Sequence, residues 1–190
     1  SNQDLSSAQN LVVKNLNLLT WLGTSPGRSF YAIGGAWRAI ARLYIEHTKY
    51  PLHVLDNFTI GYDEVLSFTN LIGGLSAQSL AKMGSISRQR SISLPFAAIV
   101  LNNLIKVSLP KEIIFSGYGL REGLFHELLT EETKKKDPLI SACEGFALRS
   151  GRFSIHGEEI VAWLSPLFGG EKKDFYRVFY AGALLSDIGW

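Results

Sequence analysis

The chain has 190 residues and a formal net charge of only +2, and 46% of its residues are hydrophobic. This length and hydrophobic fraction suit one domain, or one domain with a piece of another, and they exclude a disordered chain. The small net charge gives no support for binding to nucleic acid. The single cysteine, Cys143, excludes a disulfide framework and is predicted to be a small core residue.

Hydrophobic periodicity and breaks at glycine or proline predict an α/β pattern over the first two thirds of the chain. The predicted elements are helix 5–19, strand 29–33, helix 36–47, strand 51–60, helix 62–71, helix 76–83, helix 94–107, strand 113–115 and helix 120–130. Pro95 suits the first turn of helix 94–107, and the polar residues within that helix indicate a buried core helix instead of a membrane span. Three strands are few for so many helices, so either strands are missed or the chain is part of a larger protein.

The composition changes most sharply at residues 131–137, EETKKKD. This charged run predicts a domain boundary, with an α/β body over residues 1–133 and a helical segment over residues 134–190. The three helices predicted in that segment are 138–149, 157–168 and 172–188. The lysines of the run are predicted to be a solvated linker and not a patch for nucleic acid.

Two strand–glycine–helix corners are the candidate anion sites of the sequence. A strand end, a glycine turn and a helix start expose backbone N–H groups, and an arginine in the first helical turn can donate two parallel hydrogen bonds to a phosphate. The candidate phosphate-binding residues are Gly34, Gly35, Arg38, Gly117, Gly119 and Arg121. The alternative for each corner is a plain turn whose arginine pairs with a neighbouring carboxylate such as Glu122.

The other polar residues of interest are predicted to be structural. The four histidines share no metal-ligand spacing, and no Cys/His cluster has the spacing of a zinc site. Asp187 lacks the preceding histidine that a metal-binding His–Asp pair requires, so packing at a helix end is favoured. Arg88 and Arg90 lie in a basic connection, 84–90, which is more typical of a solvated loop than of an anion contact.

Four stretches of the chain resemble the exopolyphosphatase / guanosine pentaphosphate phosphohydrolase family, in matching order and spacing. They are residues 30–43 (FYAIGGAWRAIARL), 86–94 (ISRQRSISL), 112–124 (EIIFSGYGLREGL) and 183–190 (ALLSDIGW). The resemblance implies a fold of the sugar-kinase/actin/heat-shock-chaperone type, in which two RNase H-like lobes clamp a phosphate chain. It also implies that a helical domain related to the HD phosphohydrolases follows the lobes.

The resemblance further implies a hydrolase that releases terminal phosphate from inorganic polyphosphate or from guanosine pentaphosphate. Such enzymes use Mg²⁺ and a glutamate that positions the attacking water. The family's DxGSNS-type loop, its catalytic glutamate and its DxGGGS-type loop have no counterpart in this sequence. We therefore expect most of the second lobe and the start of the third domain, with no catalytic residue or metal site of its own and no activity alone.

Two rival functions stay open at this point. The first is a non-catalytic regulatory module that holds polyphosphate or guanosine tetraphosphate through Arg38 and Arg121. The second is a relative of the sugar or acid kinases that binds ATP. In each case the sequence predicts a cytoplasmic protein without a membrane or nucleic-acid partner, and a truncated sheet edge together with an exposed interlobe face favours a homodimer.

Overall fold

The computed structural model describes residues 2–24, 26–83, 88–150, 157–168, 170, 173–186 and 188. The chain divides into two compact units, Ser1–Leu124 and Phe125–Trp190, so the division lies earlier than the boundary predicted at residue 133. The helices are α1 Asn2–Leu16, α2 Gly35–His47, α3 Tyr62–Gly74, α4 Ala77–Ala81, α5 Arg88–Ser108, α6 Leu120–Glu127, α7 Glu131–Lys135, α8 Pro138–Ser150, α9 Gly157–Leu164 and α10 Lys173–Leu184. The strands are β1 Ser29–Ala32, β2 Phe58–Gly61 and β3 Glu112–Phe115, and short 3₁₀ turns lie at Thr20–Gly23 and Ser165–Leu167.

The three strands form one mixed sheet in the order β1-β3-β2, so the predicted α/β class with a short mixed sheet is confirmed. Strand β1 pairs with β3 in parallel, with Ala32 opposite Phe115. Strand β2 pairs with the other side of β3 in the antiparallel sense, with Phe58 opposite Phe115. The carboxyl ends of β1 and β3 therefore meet at one edge of the sheet, and the start of β2 lies at that same edge.

The predicted strand 51–60 is mostly wrong, because only its last residues form β2. Pro51 cannot donate to a strand ladder. A turn follows, in which Asn57 has a positive φ of 58° and the Phe58 N–H donates to the Leu55 carbonyl oxygen over 3.1 Å. Residues 52–55, ahead of this turn, form no strand.

Several helix bounds differ from the prediction, and those of α5 and α6 lie near the two corners. Helix α5 begins at Arg88, ahead of the predicted start at 94, and Pro95 therefore lies inside the helix and not in its first turn. Helix α6 ends at Glu127 because the chain turns there and Thr130 starts a new helix, accepting a hydrogen bond from the Thr133 N–H over 3.3 Å. This new helix, α7, lies within the charged run 131–137 that the sequence predicts to be a linker.

Helix α5 is the centre of the first unit. Its residues Leu94, Ala98, Leu101 and Ile105 recur at helical spacing and are all almost fully buried. They belong to a core shared with the sheet and with α2 and α3. Residues Gln89–Ser108 are long and apolar enough to cross a membrane, but in this structure their apolar stripe is packed inside the unit, as the sequence predicts.

Buried amides explain how polar residues fit into this core helix. The Asn102 Nδ2 donates to the Leu66 carbonyl oxygen and, over 2.8 Å, to the Thr69 hydroxyl, which ties α5 to α3. Asn103 exchanges a pair of hydrogen bonds with Gln9 and so ties α5 to α1. Each buried amide is thus compensated by hydrogen bonds across a helix contact.

The second unit is a set of helices around a small core that includes the buried Cys143, as predicted. Arg177 of α10 donates from Nε and Nη2 to the carboxylate of Asp137, just ahead of α8. These bonds, with the Ile140 and Leu139 N–H groups, lower the pKa of Asp137 to about 2. The predicted structural roles of His156 and Asp187 lie outside the described residues.

Candidate functional site

The parallel pairing of β1 and β3 brings the two glycine corners to the same edge of the sheet. The Ser116 N–H donates to the Ala32 carbonyl oxygen over 3.2 Å, so the two chains still run side by side where the strands end. Gly34 comes two residues after Ala32, and Gly117 directly follows Ser116. In open sheets this edge, beyond the carboxyl ends of parallel strands, is the usual place for a ligand.

The first corner has an open helix N-terminus. Gly34 has φ 131° and ψ 156°, a conformation that needs glycine, and it turns the chain from β1 into α2. The first turn of α2 holds no acidic residue. Among the described side chains, none accepts a hydrogen bond from the N–H groups of Gly35, Ala36 or Trp37, and these groups lie at the positive end of the helix dipole, which favours an anion.

Arg38 joins the two corners. Its Nη1 donates to the Gly117 carbonyl oxygen over 2.7 Å, and its own N–H donates to the Gly34 carbonyl oxygen over 3.0 Å. Arg38 is half-buried, and within the described part of the chain its guanidinium group makes the one bond to Gly117, so four of its five N–H donors have no partner among those residues. A guanidinium held in this way presents a fork of N–H groups that suits a phosphate.

At the second corner, in contrast, three backbone N–H groups already donate to side chains. The Gly117 N–H donates to Asp56 Oδ1 over 2.7 Å, and the Tyr118 N–H donates to the Ser116 hydroxyl over 3.1 Å. The Gly119 N–H donates to Glu122 Oε2 over 2.7 Å. The sequence pattern predicts exposed N–H groups at this corner, but each of these three already has an acceptor.

Glu122 connects the two arginines electrostatically. Its carboxyl accepts hydrogen bonds from its own N–H and from the Gly119 N–H, and these bonds are the main reason that its pKa lies below the usual value. The positive charges of Arg121 and Arg38 lower the pKa further. Arg121 is exposed on α6. The charges of both predicted arginines therefore act on the pKa of this one carboxylate.

Arg90 lies at the first corner, although the sequence favours a solvated loop position for it. A Cβ on Gly35 would be only 3.8 Å from Arg90 Nη2, so the guanidinium group is next to the open end of α2. The early start of α5 at Arg88 accounts for this, because it places Arg90 on an ordered first turn. The side chain of Arg88 is outside the described residues.

Asp56 is the site residue that the sequence analysis missed. It precedes β2, accepts the Gly117 N–H and lines a groove of about 680 Å³ beside β2. The signal that could have found it is the antiparallel register: Phe58 lies opposite Phe115, so Asp56, two residues before Phe58, lies next to Gly117, two residues after Phe115.

The described residues do not fit a Mg²⁺ site. Among them, no group of three or more His, Cys, Asp or Glu side chains is close enough to hold a metal ion. Asp56 and Glu122, the carboxylates at the corners, already accept backbone N–H groups. The expected Mg²⁺ therefore has no ligand set in this part of the chain, and none of the chemistry below depends on a metal held here.

The geometry can be compared with known proteins. Retrograde regulation protein 2 of Saccharomyces cerevisiae (strain ATCC 204508 / S288c) is 26% identical over 131 residues, which covers 64% of this chain and 22% of that protein. The crystal structure of the Aquifex aeolicus member of the Ppx/GppA protein family aligns with a TM-score of 0.54 at 15% identity, over 72% of this chain and 43% of that one.

A second structure, of the Aquifex aeolicus PPX-GPPA enzyme, aligns with a TM-score of 0.52 at 16% identity, over 66% of this chain and 41% of that one. At such identities the likeness shows the fold alone. The chain spans less than half of either Aquifex aeolicus structure and about a fifth of the Saccharomyces cerevisiae protein. The sequence model of the Ppx/GppA phosphatase family matches residues 2–132, a range that contains three of the four resembling stretches, and the chain belongs to this family.

Proposed function

We propose that the chain supplies one wall of a phosphate-binding cleft in an exopolyphosphatase-type hydrolase. Water would release terminal phosphate from inorganic polyphosphate or from guanosine pentaphosphate in that cleft. The wall would belong to a partial RNase H-like lobe. The observation that carries the proposal is the open N-terminus of α2 beside Arg38, at the edge where two parallel strands end.

The charges and donors at this edge suit a phosphate chain. Phosphoryl transfer depends on positioning and on charge stabilisation more than on a covalent nucleophile. The N–H groups of Gly35, Ala36 and Trp37 can bind phosphate oxygens, and Arg38 can bind with its remaining donors. Arg90 adds a second cation beside Gly35.

The step that activates water would come from residues outside this chain. Glu122, on whose pKa both arginines act, accepts the N–H groups of Gly119 and of its own residue at the start of α6, which is the arrangement of a helix cap. On this proposal the chain is the second-lobe part of a longer protein, whose first lobe supplies the glutamate and holds Mg²⁺. Residues 1–190 alone would then bind phosphate chains without cleaving them.

A specific observation supports a second candidate, a regulatory module without turnover. One relative is named as a regulation protein, and the N–H groups of the second corner are occupied by Asp56, Ser116 and Glu122. Such a module would hold polyphosphate or guanosine tetraphosphate at the first corner only. It shares the binding site of the first candidate and differs from it in lacking hydrolysis.

Phosphate release separates the two candidates. We expect the longer protein to release phosphate from long-chain polyphosphate or guanosine pentaphosphate with Mg²⁺, and residues 1–190 to stay at the background rate, because the water-positioning glutamate is absent. Equal turnover by the short chain would refute the assignment of catalysis to the other lobe. Tight binding of polyphosphate in calorimetry, with no release by the longer protein, would favour the regulatory module.

A further inference from the structure

We propose that Asp56 is a positioning residue of the candidate anion site. It would hold the Gly117 backbone in the orientation in which the Gly117 carbonyl oxygen keeps the Arg38 guanidinium group in place. The inference rests on the proposed function for its meaning, since it assigns a role at the same site. Its structural content, the coupling of Asp56 to Arg38, can be tested separately.

The contacts form a short relay through one residue. Asp56 Oδ1 accepts the Gly117 N–H over 2.7 Å, and the Gly117 carbonyl oxygen accepts Arg38 Nη1 over 2.7 Å. The Ser116 hydroxyl donates to the same carboxylate oxygen over 3.4 Å. Asp56 thus holds the peptide plane ahead of Gly117 directly, and it holds the next plane, which carries the Gly117 carbonyl, through the Ser116 hydroxyl that accepts the Tyr118 N–H. Arg38 binds that carbonyl from the side of α2.

Asp56 is itself held firmly enough to act in this way. It lies in the turn closed by the hydrogen bond from the Phe58 N–H to the Leu55 carbonyl oxygen, at 3.1 Å, and Asn57 has a positive φ in the same turn. The antiparallel register of β2 and β3 then sets it opposite Gly117. The carboxylate is therefore placed by the turn ahead of β2, from which it accepts the Gly117 N–H.

Gly117 and Asp56 also fit each other in shape. A Cβ on Gly117 would lie 3.2 Å from the Asp56 Cβ and 3.3 Å from its Oδ1, which is tighter than ordinary side-chain contacts. The backbone φ of Gly117 is not in the left-handed region, so the need for glycine here comes from the space that Asp56 occupies. An alanine at residue 117 should push the carboxylate away and weaken the same relay.

The charge of Asp56 allows a test that distinguishes a positioning role from simple charge repulsion. A carboxylate next to an anion site repels the ligand, so a purely electrostatic account predicts tighter anion binding after either Asp56→Asn or Asp56→Ala. A positioning role predicts different results for the two variants. Asparagine keeps an oxygen that can accept the Gly117 N–H, whereas alanine keeps none.

The first measurement is calorimetry of the whole chain with inorganic tripolyphosphate. We expect Asp56→Ala to weaken binding by about tenfold, the effect of one mispositioned hydrogen-bonding group. Asp56→Asn should bind as tightly as the unmodified chain or more tightly, and Gly117→Ala should weaken binding as Asp56→Ala does. Unchanged or tighter binding by both Asp56→Ala and Gly117→Ala would overturn the proposal.

The second measurement does not depend on a ligand. Nuclear magnetic resonance of the arginine side chains should show slow rotation of the Arg38 guanidinium group in the unmodified chain and in Asp56→Asn. Rotation should be fast in Asp56→Ala and Gly117→Ala, with the exposed Arg42 of the same helix unchanged as the control. If the unmodified chain binds no tripolyphosphate, the proposed function fails, but this measurement still tests the coupling of Asp56 to Arg38. An Arg38 guanidinium group that rotates equally slowly in all variants contradicts that coupling. If Asp56→Ala does not fold, Gly117→Ala gives the same decision.

Discussion

Arg38→Ala is expected to lower the kcat/KM of the longer protein for polyphosphate by about 10²–10³-fold, the usual effect of removing one preorganised donor to developing charge. Arg38 is the one predicted residue that bonds both corners, through its N–H to Gly34 and its guanidinium group to Gly117. Its loss removes a cation from the open end of α2 and also releases the Gly117 carbonyl oxygen. Phosphate release at several polyphosphate concentrations measures the change.

Arg42→Ala is the matched control for this result. Arg42 lies one helical turn further along α2, is exposed, and is expected to leave kcat/KM unchanged. Arg38→Lys should fall between the two variants, because lysine keeps the charge but cannot form the planar fork. Equal effects of Arg38→Ala and Arg42→Ala would mean that only the net charge of the surface matters, and the geometry described above would have no role.

Phe115→Ala is expected to lower the free energy of unfolding of the first unit by about 3–5 kcal/mol, the range measured for truncation of a buried aromatic side chain. Phe115 is fully buried in the central strand, between its register partners Ala32 and Phe58. The cost is high because both neighbouring strands pack around the same side chain. Urea denaturation followed by circular dichroism gives the change.

Ile114→Ala serves as the control on the same strand. Successive side chains of a strand point to opposite faces, and Ile114 is only half-buried, so its truncation should cost at most about 2 kcal/mol. Phe115 is the last residue of β3 and lies one residue nearer to the second corner than Ile114. A larger loss for Ile114→Ala would contradict the described core.

Local features of the site were predictable, and long-range ones were not. The strand, glycine and helix pattern at Gly34 and at Gly117 depends on neighbouring residues, and β1, β3, α2 and α6 appear where that pattern places them. The adjacency of the two corners depends on strand order, which no local pattern encodes. Glu122 could have been recognised as the acceptor for Gly119, because an acidic residue three positions on is the spacing of a capping box.

The positions of Asp56 and Arg90 differ from the prediction for identifiable reasons. The apolar residues of 51–60 predict one strand that includes Asp56, but Asn57 adopts a positive φ and ends it. Pro95 predicts a helix start after Arg90 and hence a loop position for that residue, which is exposed as predicted but lies on α5. Proline is disfavoured inside helices. Helix α5 nevertheless contains Pro95 in its interior and starts at Arg88, before Arg90.

The most direct test of the central claim, that the open end of α2 is the anion site, is an amide nuclear magnetic resonance titration of the chain with inorganic tripolyphosphate. We predict the largest chemical-shift changes at the N–H groups of Gly35, Ala36 and Trp37, and smaller changes at Gly117 and Gly119. The Arg38 side-chain signal should shift with the same dependence on tripolyphosphate concentration. Shifts confined to the basic run 134–136, with the first turn of α2 unmoved, would contradict it.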